Sequence, residues 1–278
     1  VIHYHGTPIT PREKLHELVG RSFCVSFADP RDVDVCHEIG QSVMLDNGAF
    51  AIWRAGGELD VDAYAAWAKP WLDYRTTWCV IPDVIDGTED ENNLLLARWW
   101  QHRLPFDQCA PVWHLHEPLE RLRYLTTAYP RVCLGSSGDY ATVGDERWHA
   151  RMRQVMNEIC GDGPAPCWLH MLRGLSLAGS AYPFASADST NIAQNHKGNS
   201  STRRVPARDI RRMADQLDGR QCQPRWQRIS QYAICDTCGG SGTVECGTLH
   251  PGWCDSDPCH GHCEVACNDC TGEGMVLA

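Results

Sequence analysis

The feature that most constrains this chain is a regular alternation of short β-like runs with helical segments over most of its length. Eight runs read as strands: Ile2–His5, Ser22–Phe27, Ser42–Asp46, Thr77–Asp83, Ala110–Leu115, Val132–Ser136, Cys167–Met171 and Pro183–Asp188. Helical signals fall between them. Thr10-Pro11-Arg12-Glu13 reads as a capping box with proline at the first helical position, and Gly20 as its stop. Asp29-Pro30 opens a second helix that runs to Gly40. Further helices are expected over 62–73, 88–101, 118–129, 145–160 and 208–217. Strand, helix, strand is the repeating unit of a parallel sheet. Eight units predict an α/β chain folded as a (β/α)8 TIM barrel. A doubly wound open sheet is the alternative, but no glycine-rich dinucleotide fingerprint follows the first strand.

With 278 residues the chain has room for one barrel and a small appendage. The boundary is expected between a barrel over 1–222 and a cysteine-rich module over 231–278. Eight of the 16 cysteines lie between Cys235 and Cys270. The others (Cys24, Cys36, Cys79, Cys109, Cys133, Cys160, Cys167, Cys222) are scattered, mostly in apolar runs, where an isolated thiol acts as a small hydrophobe. A chain this long does not read as a secreted disulfide scaffold, so the terminal cluster reads as metal binding in a reducing cytoplasm. No apolar run approaches a membrane span, and residues 1–10 lack a signal-peptide pattern. No membrane partner is expected.

Net charge is −10, which argues against a simple nucleic-acid coat. The charge is uneven. Residues 235–278 hold seven acids and no Lys or Arg, which leaves the remainder at −3. Residues 203–228 carry eight arginines against three aspartates, a strip compatible either with nucleic-acid binding or with a solvated helix face.

A barrel places function at the C-terminal ends of its strands. Six of these ends are polar, around Asp46-Asn47-Gly48, Asp83, His114-Leu115-His116-Glu117, Gly135-Ser136-Ser137-Gly138, His170 and Asp188-Ser189-Thr190-Asn191. Asp46 and Asp188 form the leading catalytic pair. Breaking an N-glycosidic bond with retention needs one carboxylate at C1′ and one group for proton transfer. Asp83 suits the exocyclic amine and ring N–H of a purine, while Asp86 is read as a cap for the helix at Thr88. The Gly135–Gly138 turn can offer backbone N–H groups to a carbonyl. His114, His116 and His170 read as a metal set, acid–base groups or substrate contacts. With the His3-x-His5 pair they keep a metal-dependent hydrolase in play.

The runs His5-Gly6-Thr7-Pro8-Ile9-Thr10, Leu45-Asp46-Asn47-Gly48-Ala49-Phe50, Ile81-Pro82-Asp83, Trp113-His114-Leu115-His116-Glu117, Leu134-Gly135-Ser136-Ser137-Gly138 and Ser186-Ala187-Asp188-Ser189-Thr190-Asn191 together resemble the DNA-guanine transglycosylases of phages and bacteria. These are relatives of the tRNA-guanine transglycosylases. The resemblance spans about residues 2–215. It implies a TIM barrel that exchanges guanine in DNA for a 7-deazaguanine, commonly the 7-cyano form, through a covalent enzyme–DNA intermediate. It implies Asp188 as nucleophile, Asp46 as general acid/base, Asp83 as base-recognition aspartate, and Gly135, Ser136 and Ser137 in the loop that contacts the base. Asn47, Gly48, Phe50, His116 and His170 complete the expected substrate site. Phe50, Trp53 and Trp113 are candidates to sandwich a base taken out of its stack. Lys197, Arg203 and Arg204 follow the Asp188 loop and suit flanking phosphates. The tRNA enzymes carry a Cys-x-Cys-x-x-Cys site with a distant histidine. This chain has no Cys-x-Cys, which weakens the tRNA reading.

Cys235-Asp236-Thr237-Cys238-Gly239-Gly240-Ser241-Gly242 and Cys267-Asn268-Asp269-Cys270-Thr271-Gly272-Glu273-Gly274 are two Cys-x-x-Cys-x-Gly-x-Gly repeats. They resemble the zinc-binding region of DnaJ-type chaperones. That resemblance implies one structural zinc on Cys235, Cys238, Cys267 and Cys270, and a second on Cys246, Cys254, Cys259 and Cys263. His250, His260 or His262 is an alternative ligand at the second. The acidic module would repel a phosphate backbone, so it is expected to staple the fold or dock a protein partner. A tRNA-directed transglycosylase, a metal-dependent hydrolase and a binding protein on an inactive barrel are the alternatives.

Overall fold

The computed structural model describes residues 1–197 and 207–228 in full, and the backbone of strands at 232–234, 243–245, 264–266 and 275–277. Arg203, Arg204 and the eight cysteines Cys235, Cys238, Cys246, Cys254, Cys259, Cys263, Cys267 and Cys270 lie outside the described residues. The chain divides into two compact units, Val1–Gln227 and Arg228–Ala278.

In the first unit nine strands form one parallel sheet: β1 (Ile2–Gly6), β2 (Ser22–Ser26), β3 (Ser42–Asp46), β4 (Thr77–Val80), β5 (Cys109–Ala110), β6 (Val112–His114), β7 (Arg131–Gly135), β8 (Trp168–Met171) and β9 (Ser186–Ser189). The order across the sheet is β5-β4-β3-β2-β1-β9-β8-β7-β6. Its two outermost strands are consecutive pieces of one segment, separated by Pro111. Proline has no N–H to give the ladder. Its carbonyl still accepts from Cys133 N at 2.9 Å, while Ala110 O accepts from Ile81 N at 2.8 Å. The sheet is therefore nearly closed into a TIM-like barrel.

The strand alternation sorts side chains into two cores. Tyr4, Cys24, Met44, Trp78, Val80, Ala110, Val112 and Cys133 fill the inside of the sheet. Their neighbours Phe23, Val25, Val43, Leu45, Val132 and Leu134 pack outward with the helices. His3 and His5 share this outward side. His3 Nε2 meets Arg220 O at 3.0 Å, and His5 Nε2 meets Asp218 at 3.1 Å. Trp113 also faces the outer core, with its indole N–H on Pro118 O. It therefore cannot sandwich a base at the sheet's mouth.

The helices of this unit are α1 (Val33–Ile39), α2 (Ala49–Arg54), α3 (Val61–Ala68), α4 (Glu89–Trp99), α5 (Leu119–Ala128), α6 (Glu146–Cys160), α7 (Asn191–Asn195) and α8 (Ile210–Asp218). Two sequence expectations need correction. The segment after β1 is a 3-10 helix, Arg12–Leu18, and Thr10 does not cap it. Pro11 is extended (ψ 157°) at the N-cap position, which leaves Thr10 outside the helix. Asp86 does not cap α4 either. Thr88 does, in a reciprocal capping box with Glu91. No α-helix joins β8 to β9, where only a short 3-10 turn, Leu175–Leu177, appears.

In the second unit β10 (Tyr232–Ile234) pairs antiparallel with β13 (Met275–Leu277), and β11 (Thr243–Glu245) with β12 (Glu264–Ala266). The pairing is nested.

Candidate active site

The C-terminal ends of β3, β4, β6, β7 and β9 surround a cavity of about 570 Å³. Asp46, Asn47, Phe50, Asp83, His114, Gly135, Ser136 and Asp188 line it. A neighbouring cavity shares Phe50, Ser136 and Arg173 with it and adds Trp53, Asp86, His116 and Ser137. Most of the residues picked out along the chain, some 140 positions apart at the extremes, therefore meet at one end of the sheet. Lys197 is exposed two residues past α7 and lines neither cavity.

Asp46 ends β3. Its Oδ2 accepts the Gly48 N–H at 3.0 Å. Burial pushes its carboxyl up to about 6, and the charge of Asp188 adds to this. Hydrogen bonds from Ser26 and Gly48 oppose the rise. Gly48 has φ +74°, and a Cβ there would meet Ala28 N at 2.9 Å. Only glycine makes this turn without strain, and the turn aims the N–H at Asp46.

Asp188, on β9, has the opposite surroundings. Its Oδ1 accepts the Arg173 N–H at 2.8 Å and faces His170 Nε2 at 3.2 Å. The tautomer of His170 follows from Asp188, since a carboxylate only accepts and so takes the hydrogen from Nε2. In the neutral ring Nδ1 then accepts the Ser186 hydroxyl at 2.8 Å, while Ser186 Oγ accepts from Trp168 Nε1 at 2.7 Å. Burial pushes the His170 pKa down against the pull of Asp188, which keeps the ring neutral. The single N–H then sits on Nε2, toward Asp188. Two N–H donors thus fix Oδ1, and no described side chain bonds Oδ2. His170 itself is wholly buried below the cavity and supports Asp188 from beneath.

Asp83 is held on both oxygens. Asn47 Nδ2 donates to Oδ1 at 2.7 Å, and His114 Nε2 lies 2.8 Å from Oδ2. Asn47 also donates to Ile81 O at 3.0 Å and accepts from Ala49 N at 2.8 Å, which locks it in place. The His114 backbone N–H donates to the buried Glu117, which pairs with Arg121 at 2.7 Å and accepts from Asn92 Nδ2 at 2.8 Å. Asn92 in turn accepts from Val84 N, so α4 and α5 together brace the loops that carry Asp83 and His114.

Arg173 was not picked out from the sequence. It has φ +56°, its guanidinium donates to Ser136 O at 2.7 Å, and it lies 4.3 Å from the centre of the exposed Phe50 ring. A non-glycine residue at positive φ is uncommon and points to a constrained position. A sequence signal existed, since Arg173-Gly174 directly follows a strand end, but a charge before a glycine reads equally as a surface turn.

Every ring nitrogen of His114, His116 and His170 has a protein partner. His3 and His5 face α8 instead. Among the described residues no group of His, Cys, Asp and Glu is arranged to hold a metal ion. Among the same residues no helix is long and apolar enough to cross a membrane.

No family model and no curated protein matches the chain. A solved structure from Aquifex aeolicus VF5, titled only as a structural study, is similar at 12% identity with a TM-score of 0.40. The match covers 70% of this chain and 84% of that one.

Proposed function

We propose that this protein is a pentosyltransferase that exchanges guanine in DNA for a 7-deazaguanine by double displacement. Asp188 attacks C1′ and the base departs; the incoming deazaguanine then displaces Asp188 from the same carbon. The observation that carries this reading is the contrast between two carboxyls at one cavity. One has an oxygen fixed by two N–H donors and the other oxygen open, as a nucleophile requires. The other carboxyl is pushed up to about 6, as a proton donor and acceptor near neutral pH requires. Asp83 and the Gly135-Ser136 backbone border the same space, where a purine edge needs acceptors and donors. Phe50 and Trp53, at 37% and 49% exposure, offer aromatic faces to an extruded nucleotide.

Lys197, Arg203 and Arg204 would follow the DNA backbone beyond the cavity. The two Cys-x-x-Cys-x-Gly-x-Gly repeats support one structural zinc on Cys235, Cys238, Cys267 and Cys270. Cys246, Cys254, Cys259 and Cys263 would hold another, and the acidic module would serve a protein partner. The cytoplasm of a bacterial or phage-infected cell is the setting that fits a DNA substrate and reduced thiolates.

The test is to incubate the protein with a guanine-containing DNA oligonucleotide and 7-cyano-7-deazaguanine, beside a tRNA control, and to weigh the digested nucleosides. The expected result is a deazaguanine deoxynucleoside that disappears with Asp188→Ala, and a DNA-linked protein band on a denaturing gel. Incorporation into tRNA alone would move the substrate to RNA. Loss of DNA cleavage or exchange to chelators, without a covalent band, would favour a metal-dependent hydrolase.

A further inference from the structure

His116 is exposed at the outer cavity, and Asp83 lines the inner one. Three hydrogen bonds join them, and a fourth anchors His116 to the backbone. Asp83 Oδ2 meets His114 Nε2 at 2.8 Å, and His114 Nδ1 meets Ser137 Oγ at 3.3 Å. Ser137 Oγ then meets His116 Nδ1 at 2.8 Å, and His116 Nε2 meets Gly87 O at 2.9 Å. The two rings stack, with centroids 5.7 Å apart and planes at 21°.

Counting protons constrains this chain. A carbonyl only accepts, so His116 Nε2 carries a hydrogen. Four bonds need four hydrogens. One serine hydroxyl and two neutral imidazoles supply three. A fourth hydrogen lets all four contacts form at once, and it can sit in three places. With His116 as imidazolium, Ser137 donates to His114, and His114 donates to an Asp83 carboxylate. Passing the His116 Nδ1 proton to Ser137, while Ser137 passes its own to His114, makes His114 the imidazolium. A further move from His114 Nε2 leaves Asp83 as the carboxylic acid. No atom is gained or lost between these forms.

We propose that Asp83, His114, Ser137 and His116 act as one unit that holds a single mobile proton and moves it between the protein surface and the cavity. The proposal rests on the base-exchange reading for its purpose. A departing purine carries negative charge, and inward movement of the proton brings a compensating positive charge next to it without admitting water. Outward movement restores the Asp83 carboxylate for the next base. Other charges face the unit. Asp46 shares its cavity, and Glu117 with Arg121 lies behind His114. Asp86, Asp139 and Arg173 line the outer cavity beside His116. Ser137 is a positioning residue here. It lines the outer cavity and not the inner one, and in this unit it acts through the two rings.

The experiment is a pH titration of the intact protein labelled with ¹⁵N-histidine, read by NMR, with His114→Asn and His116→Asn used to assign signals. The expected result is that His114 and His116 titrate together with one midpoint, and that His116 keeps its Nε2 hydrogen throughout. Ser137→Ala should split this into two separate midpoints, and Ser137→Thr should restore one. Independent titration of the two rings in the unaltered protein, indifferent to Ser137→Ala, would overturn the proposal. In the exchange assay, Ser137→Ala should lower single-turnover rate at least about tenfold with KM unchanged, and Ser137→Thr should recover it. Absence of exchange by the unaltered protein would refute the base-exchange reading, while the titration still decides the relay.

Discussion

Replacing Asp46 by asparagine should make the protein more stable at neutral and alkaline pH while removing exchange activity. The reasoning starts from the rise of the Asp46 carboxyl from 3.8 to about 6. Between those values the native state holds a proton that the unfolded chain has released. Stability therefore falls as pH climbs through this window, and the full cost is present above it. A shift of about two units corresponds to about 3 kcal/mol. The carboxyl is half-buried and meets cavity water, so a gain of about 1–2 kcal/mol is the working expectation. Asparagine has the same shape and no charge, and its carbonyl oxygen can still accept the Gly48 N–H. The assay is urea or thermal unfolding of both proteins at about pH 8 and about pH 4. Asp46→Asn should raise Tm by about 3–6 °C at the higher pH and by little at the lower one. Equal stabilities at both pH values, or a less stable variant at the higher one, would refute the reasoning.

Three further outcomes follow from the geometry. Glu117→Gln leaves the buried Arg121 without its carboxylate and should cost about 3–5 kcal/mol in urea unfolding. Gly135→Ala would place a Cβ 2.6 Å from His114 Nδ1, so exchange should drop at least about tenfold while the helical circular-dichroism signal is unchanged. Arg173→Ala removes the cation over Phe50 but keeps the backbone N–H to Asp188, so it should weaken DNA binding about tenfold, measured by fluorescence anisotropy. A drop in the covalent step alone, with binding unchanged, would contradict that assignment.

The order of the strands and their outer ends were legible in the sequence because alternation and chain direction are local. Each β-run ends where a polar residue meets a turn, and a parallel sheet puts all those ends on one side. That is why the sequence alone groups Asp46, Asp83 and Asp188. Period two does not say which of its two sets points inward, however. His3 and His5, paired by spacing, turn out to serve Arg220 and Asp218, more than 200 residues away in sequence. Trp113, one residue from His114, faces the opposite side of the sheet. Thr10 has the chemistry of a cap but does not cap the first helix, because the extended Pro11 takes the N-cap position and leaves Thr10 outside.

What the sequence by itself determined was the list of chemical groups and the end of the sheet to which they belong. Only the tertiary structure decided their charges and their order of contact. The raised carboxyl of Asp46, the two donors on one oxygen of Asp188, and the proton-sharing path from Asp83 to His116 all depend on partners brought close by closure of the sheet. A proton's location is set by distances of a few ångströms between residues far apart in the chain, and no local pattern of residues carries that information.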